Sequence, residues 1–158
     1  MADLDRTEVV KIIAMRAGEE KGVVLQGVDL SEQNLSALCL VEANLKAAKL
    51  NHANLTQADL TKADLTKADL SFADLSEATL HAAKLRDANL SGADLRGVDL
   101  SDADLSYADL RGANLRGADL RRANFWHADM TEVNLIYASL EGAKGLPVGI
   151  EKWATKES

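Results

Sequence analysis

Residues 103–122 read ADLSYADLRGANLRGADLRR, four units of five residues that each open with alanine, an acid or amide, and leucine. The same spacing runs outward in both directions. Every fifth position from Leu25 to Leu140 is large and apolar, 24 positions in all, of which 22 are leucine and two are Phe125 and Met130. Two residues before these centres, from Ala43 to Ala143, alanine stands at 19 of 21 steps, with Val98 and Val133 at the others. An α-helix would rotate residues five apart by about 500° and scatter the leucines over every face. A flat strand alternates its side chains with period two, so half the leucines would meet water. The small residue and the leucine can both point inward at every step only if the chain turns once per pentad. Such a coil pairs each turn with the next in parallel, and the handedness of parallel β connections makes it right-handed. The fold class is an all-β solenoid, a parallel β-helix.

The composition agrees. Hydrophobic residues make up 47% of the 158, yet only 4% are aromatic, so leucine and alanine must fill the core. A single cysteine, Cys39, leaves no internal disulfide and fits a reducing compartment. The net charge of −7 argues against direct nucleic-acid binding. No stretch reaches the ~18 apolar residues of a membrane span. The acids among the first residues interrupt any signal-peptide pattern, and a cytoplasmic location is expected.

The units ADLTK (63–67), ADLSY (103–107), ANLRG (113–117) and ADLRR (118–122) resemble those of the pentapeptide-repeat family. The resemblance covers about three quarters of the chain. It implies four pentads per coil and a square cross-section, hence a right-handed quadrilateral β-helix of about six coils, roughly 29 Å long at the ~4.8 Å spacing of paired strands. Residues 20 apart would then stack.

The ends of a solenoid expose apolar faces that need covering. Residues 1–22 are expected to form an N-terminal α-helical cap, in which Asp5 and Glu8 make a capping box. Val9, Val10, Ile12, Ile13 and Ala17 would form its apolar stripe, with Gly18 and Gly22 ending the helix. Residues 23–143 form the β-helix. Residues 144–158, broken by Pro147 and carrying Ile150 and Trp153, form a short C-terminal tail or helix, either as a cover for the last coil or as a contact that makes a homodimer through a terminal coil.

No catalytic centre is legible. Stacked at 20 residues per coil, His52, His81 and His127 fall on three different faces, and neither Cys39 nor the serines and threonines have an activating partner. Carboxylates do not converge as a metal requires, no glycine-rich loop precedes a helix, and no cofactor is expected. The acid or amide before each leucine reads as a corner residue bonding nearby backbone amides. Serine and threonine after leucine, as at Thr61, Ser71 and Ser101, read as β propensity and solubility. Gly92, Gly97, Gly112, Gly117 and Gly142 fall where tight turns tolerate them.

One surface stands out. Tyr107 should stack with His127 beside Trp126, while Ile136 and Tyr137 should stack on Arg116 at another face. Together with Trp153 these residues form a candidate protein interface, with the cover of the same surface by the C-terminal tail as the competing arrangement. The expected function is therefore a non-enzymatic interaction or scaffold module for another protein. The family resemblance supplies the alternative, a DNA mimic that regulates or protects DNA gyrase. A 29 Å length of B-DNA carries about 17 negative charges. The whole chain's −7 is well under half of that, and Arg86, Arg96, Arg111, Arg116, Arg121 and Arg122 lie where acids would be required. The family's gyrase-protecting members also carry loops that interrupt the repeat, and none does so here.

Overall fold

The computed structural model describes residues 5–15 and 22–150. From Val24 onward the chain winds as a ladder of single parallel bridges, each joining residues 20 apart, from Val24–Asn44 to Asn124–Lys144. Each pentad contributes one bridge residue, the acid, amide or equivalent before leucine, and the chain then turns.

The pentad Ala63–Lys67 shows why. The Ala63 and Leu65 side chains are fully buried on either side of the outward Asp64. Asp64 donates its N–H to the Ala43 carbonyl of the coil before at 2.8 Å, and Leu65 donates to the Lys84 carbonyl of the coil after at 2.8 Å. Ala68 N–H closes the turn on the Leu65 carbonyl at 2.9 Å. Lys67, the third residue of that turn, has φ 60° and gives its N–H to the Arg86 carbonyl at 3.0 Å. Every backbone donor thus has work on its own coil or a neighbour, as burial beside a dry core demands.

A positive φ recurs at all 24 corners, and 18 of these residues are not glycine. A left-handed residue with a Cβ is disfavoured by ~1–2 kcal/mol. At the 20 corners from Gly27 to Arg122 the corner N–H also bonds a carbonyl of the next coil, which with the turn bond offsets that cost.

Of the 24 pentad centres, 23 are buried, including Phe125 and Met130. Leu140, in the last turn, is the half-buried exception. Ile150, beyond the turn closed by its N–H on the Pro147 carbonyl at 3.2 Å, is fully buried.

Helix α1 (Arg6–Met15) opens with the reciprocal box expected of Asp5 and Glu8: Asp5 N–H donates to Glu8 Oε2 and Glu8 N–H to Asp5 Oδ1, both at 2.9 Å. Val9 is fully buried with Ile12 and Ile13 packed beside it. Arg6 Nη1 donates to the Asn34 carbonyl at 2.7 Å and the Ser36 carbonyl at 3.2 Å, in columns where later coils accept bonds from the coil before. The expected stripe is corrected in one respect: Val10 is exposed, since it lies about 100° round the helix from Val9. Ala17, Gly18 and Trp153 lie outside the described residues.

Candidate functional site

The two residues after each leucine lie outside the dry core, so everything the solenoid offers a partner comes from these corners and from the bridge residues. At most corners the bridge residue holds the turn. Asp64 Oδ1 accepts the Thr66 N–H at 3.2 Å and the Thr66 hydroxyl at 2.6 Å. The same pattern recurs at Asp29–Ser31, Asp74–Ser76, Asp99–Ser101 and Asp129–Thr131. The acid or amide thus has the corner role read from the sequence. The hydroxyls differ from the reading given to them, because many are hydrogen-bonded members of the corner. Ser101 is nearly buried, its Oγ donates to Asp99 Oδ1 at 2.6 Å, and His81 Nδ1 lies 2.9 Å from that oxygen.

Where arginine replaces the hydroxyl residue, its guanidinium folds back onto the same carboxylate. Arg96 Nε meets Asp94 at 2.8 Å, Arg111 Nε meets Asp109 at 2.9 Å and Arg121 Nε meets Asp119 at 2.8 Å. These hydrogen bonds hold Asp94, Asp109 and Asp119 below the usual carboxylate range. Arg122 likewise grips Asp102 of the coil before with two bonds, at 2.8 and 2.7 Å, which lowers that carboxyl too. Arginine and acid therefore cancel in pairs along much of the later surface.

The aromatic residues meet as the stacking of residues 20 apart requires. The rings of Tyr107 and His127 are stacked with centroids 4.8 Å apart, and Trp126 is tilted against His127 at 6.3 Å. Arg86 reaches the same ring diagonally from the coil before, its guanidinium 4.5 Å from the Tyr107 centroid. Two pentads further on, at the opposite corner of the coil, the Arg116 guanidinium lies 5.3 Å from the Tyr137 ring, with Ile136 half-buried beside it. Trp126 is 57% exposed, Tyr107 47% and Tyr137 45%.

Two participants escaped the sequence reading. Arg86 lies over the Tyr107 ring, and Phe72, 61% exposed, stacks on His52 at 5.3 Å with planes 9° apart. Phe72 could have been found by writing the corners in columns of 20; Arg86 could not, because it stands 21 residues from Tyr107 and so falls in the column of Ser106. The three histidines sit apart in these separate surroundings. Among the described residues no group of three or more His, Cys, Asp or Glu side chains is placed to hold a metal ion, and no helix is long and apolar enough to cross a membrane.

A family model of pentapeptide repeats matches residues 39–76, 73–112 and 108–144, with eight copies. No curated protein sequence matches the chain. Similar solved structures include a trypsin-treated form of QnrB1, a plasmid-mediated fluoroquinolone resistance protein, at 19% identity over 79% of this chain and 68% of that one, TM-score 0.49. The pentapeptide repeat protein Rfr23 from the cyanobacterium Cyanothece 51142 is 27% identical over 86% of this chain and 97% of its own, TM-score 0.46. A third, alr5209 from Nostoc PCC 7120, is 38% identical over 68% of this chain and 83% of its own, TM-score 0.38. With its five-residue period matched by the family model over most of its length, the chain belongs to the pentapeptide repeat proteins, which fold as right-handed quadrilateral β-helices.

Proposed function

We propose that the protein is a non-enzymatic interaction or scaffold module of about six coils, which presents its later corners to another protein in the cytoplasm. In this reading residues 1–22 cap one end of the 23–143 solenoid and residues 144–158 finish the other. The observation that carries it is two exposed sets of side chains on opposite corners of a rigid ladder, Tyr107 with Trp126 and His127, and Arg116 with Ile136 and Tyr137; Trp153 would join them from the tail. Aromatic and arginine side chains held in place by stacking lose little entropy on binding, which is why they dominate protein interfaces.

The second reading, a DNA mimic acting on gyrase, needs an unbroken acidic surface. Arg96, Arg111, Arg121 and Arg122 neutralise Asp94, Asp109, Asp119 and Asp102 in the region that would have to supply it. A supercoiling assay with purified gyrase separates the two, since no effect at high micromolar protein removes the mimic. For the interface itself, Trp126→Ala should leave the melting temperature unchanged while weakening association seen by light scattering or partner binding. Lost stability in an unchanged monomer would instead make Trp126 part of an intramolecular cover.

A further inference from the structure

Arg116 differs from three other arginines that directly follow a pentad leucine, and from Arg86, which follows Lys84 and also lies over a tyrosine but pairs with Asp87 at 3.5 Å. Arg96, Arg111 and Arg121 each follow an aspartate two residues earlier and fold onto it, but Arg116 follows Asn114. Among the described residues Arg116 forms no ion pair, and its guanidinium is instead held over Tyr137.

The asparagines add to this. Asn114 Oδ1 accepts the Arg116 N–H at 3.3 Å and Asn134 Oδ1 accepts the Ile136 N–H at 3.1 Å. With the oxygen committed to the turn, each amide NH2 must face outward as a donor. At two other positions such an amide finds a carboxylate on the coil before, Asn89 Nδ2 donating to Asp69 at 3.1 Å and Asn124 Nδ2 to Asp104 at 2.9 Å, while Asn114 bridges to Asp94, which Arg96 already holds. Asn134 bridges to Asn114 instead and meets no acid there. The paired pentads ANLRG (113–117) and VNLIY (133–137) thus hold one arginine, two outward amides, an isoleucine and a tyrosine, without a single acid, on a chain of net charge −7. Gly117 leaves open space beside them and begins a depression of about 480 Å³ whose lining includes Asp119, Arg121, Ser139, Leu140 and Glu141.

From this we infer that the Arg116–Tyr137 corner docks an acidic segment of a partner protein. A partner carboxylate would accept from the guanidinium and the Asn114 or Asn134 amide, and an apolar neighbour would rest on Ile136, Tyr137 and the half-buried Leu140. Charge complementarity selects this occupant: Arg116 is a cation without an internal ion pair among the described residues, whereas Asp94 and Asp119 on either side of it are already held by Arg96 and Arg121. The inference rests on the reading of the later corners as an interaction surface.

The test is a random dodecapeptide library displayed on phage and selected on the whole protein. Enriched peptides should carry Asp or Glu beside an apolar residue. The synthesised consensus, followed by fluorescence anisotropy, should bind more weakly as salt rises and lose about tenfold in affinity on Arg116→Gln, the loss of one charge-assisted contact. Asn114→Asp should lose at least as much, because it keeps the turn but supplies Arg116 with the internal partner that Arg96 has in Asp94. Arg111→Gln should change affinity by less than about twofold, and all three variants should keep the native melting temperature. The inference is overturned if acidic peptides are not enriched, if Asn114→Asp binds like the parent, or if labelled single-stranded DNA outcompetes the consensus at this corner. Enrichment of non-acidic peptides that respond to Trp126→Ala but not to Arg116→Gln would overturn it while sparing the wider interaction reading. No enrichment at all would count against both.

Discussion

The ring of Phe72 lies across Gly92, one coil further on, so closely that a Cβ on Gly92 would come within 2.6 Å of the phenyl carbons. His52 covers the other side of the ring from the coil before, which makes a short ladder of histidine, phenylalanine and bare backbone. Gly92 also has φ +65°, as at every corner, but so does Gly112 with φ +67° and open space where its Cβ would go.

That pair of glycines separates two costs. Gly112→Ala should lose only the left-handed preference, ~1 kcal/mol. Gly92→Ala should lose that and also displace Phe72, for a total of about 2 kcal/mol or more in urea unfolding. Combining Gly92→Ala with Phe72→Ala should recover the difference; strict additivity in the double-mutant cycle would show that the ring does not depend on the glycine.

The core should lose stability to opposite changes of side-chain size. Leu75→Ala, at a fully buried centre, should cost ~2–5 kcal/mol through lost burial and the cavity left behind. Ala73→Leu, two residues earlier and equally buried, should cost ~1–3 kcal/mol by overpacking. Equilibrium denaturation measures both, and an exposed side chain at either position would show almost no effect.

Asp99 tests the corner role of the bridge acids. Its Oδ1 accepts the Ser101 N–H at 2.9 Å and the Ser101 hydroxyl at 2.6 Å, and Ser101 is nearly buried. Asp99→Asn keeps an acceptor and should be nearly neutral, whereas Asp99→Ala strands a shielded N–H and should cost ~1–2 kcal/mol. Equal stability of the two variants would remove the corner role.

Acid should loosen the protein. Asp29 is lowered from the ordinary 3.8 to about 2, first by the Ser31 hydroxyl and then by Lys49. Asp94, Asp109 and Asp119 are lowered by their arginines, and Asp129 by the Thr131 hydroxyl. A carboxyl whose folded pKa lies below its unfolded one stabilises fully above the unfolded value and loses that contribution as pH falls through the folded value. The melting temperature should therefore be level in mildly acidic buffer and fall from about pH 4 toward pH 2. Variants such as Asp129→Asn should show a shallower fall.

The leucine and alanine periods, local in sequence, determined the β-helix by themselves, because no straight element buries residues five apart on one face. The same pattern located the corners and, once wound at 20 residues per coil, the meeting of Tyr107 with His127. Tertiary structure decided what a period of five cannot express. Corner side chains lean, so Arg86 reaches Tyr107 and Arg116 reaches Tyr137 along a diagonal of 21 residues rather than straight up a column. It also decided that 18 non-glycine residues accept a left-handed backbone, 15 of which donate their N–H to a carbonyl of the next coil, a bond that exists only after the coils stack. The lone charge of Arg116 combines the two levels: Asn114 in place of aspartate is written in the chain, but its meaning depends on arginines elsewhere folding back onto the acids two residues before them.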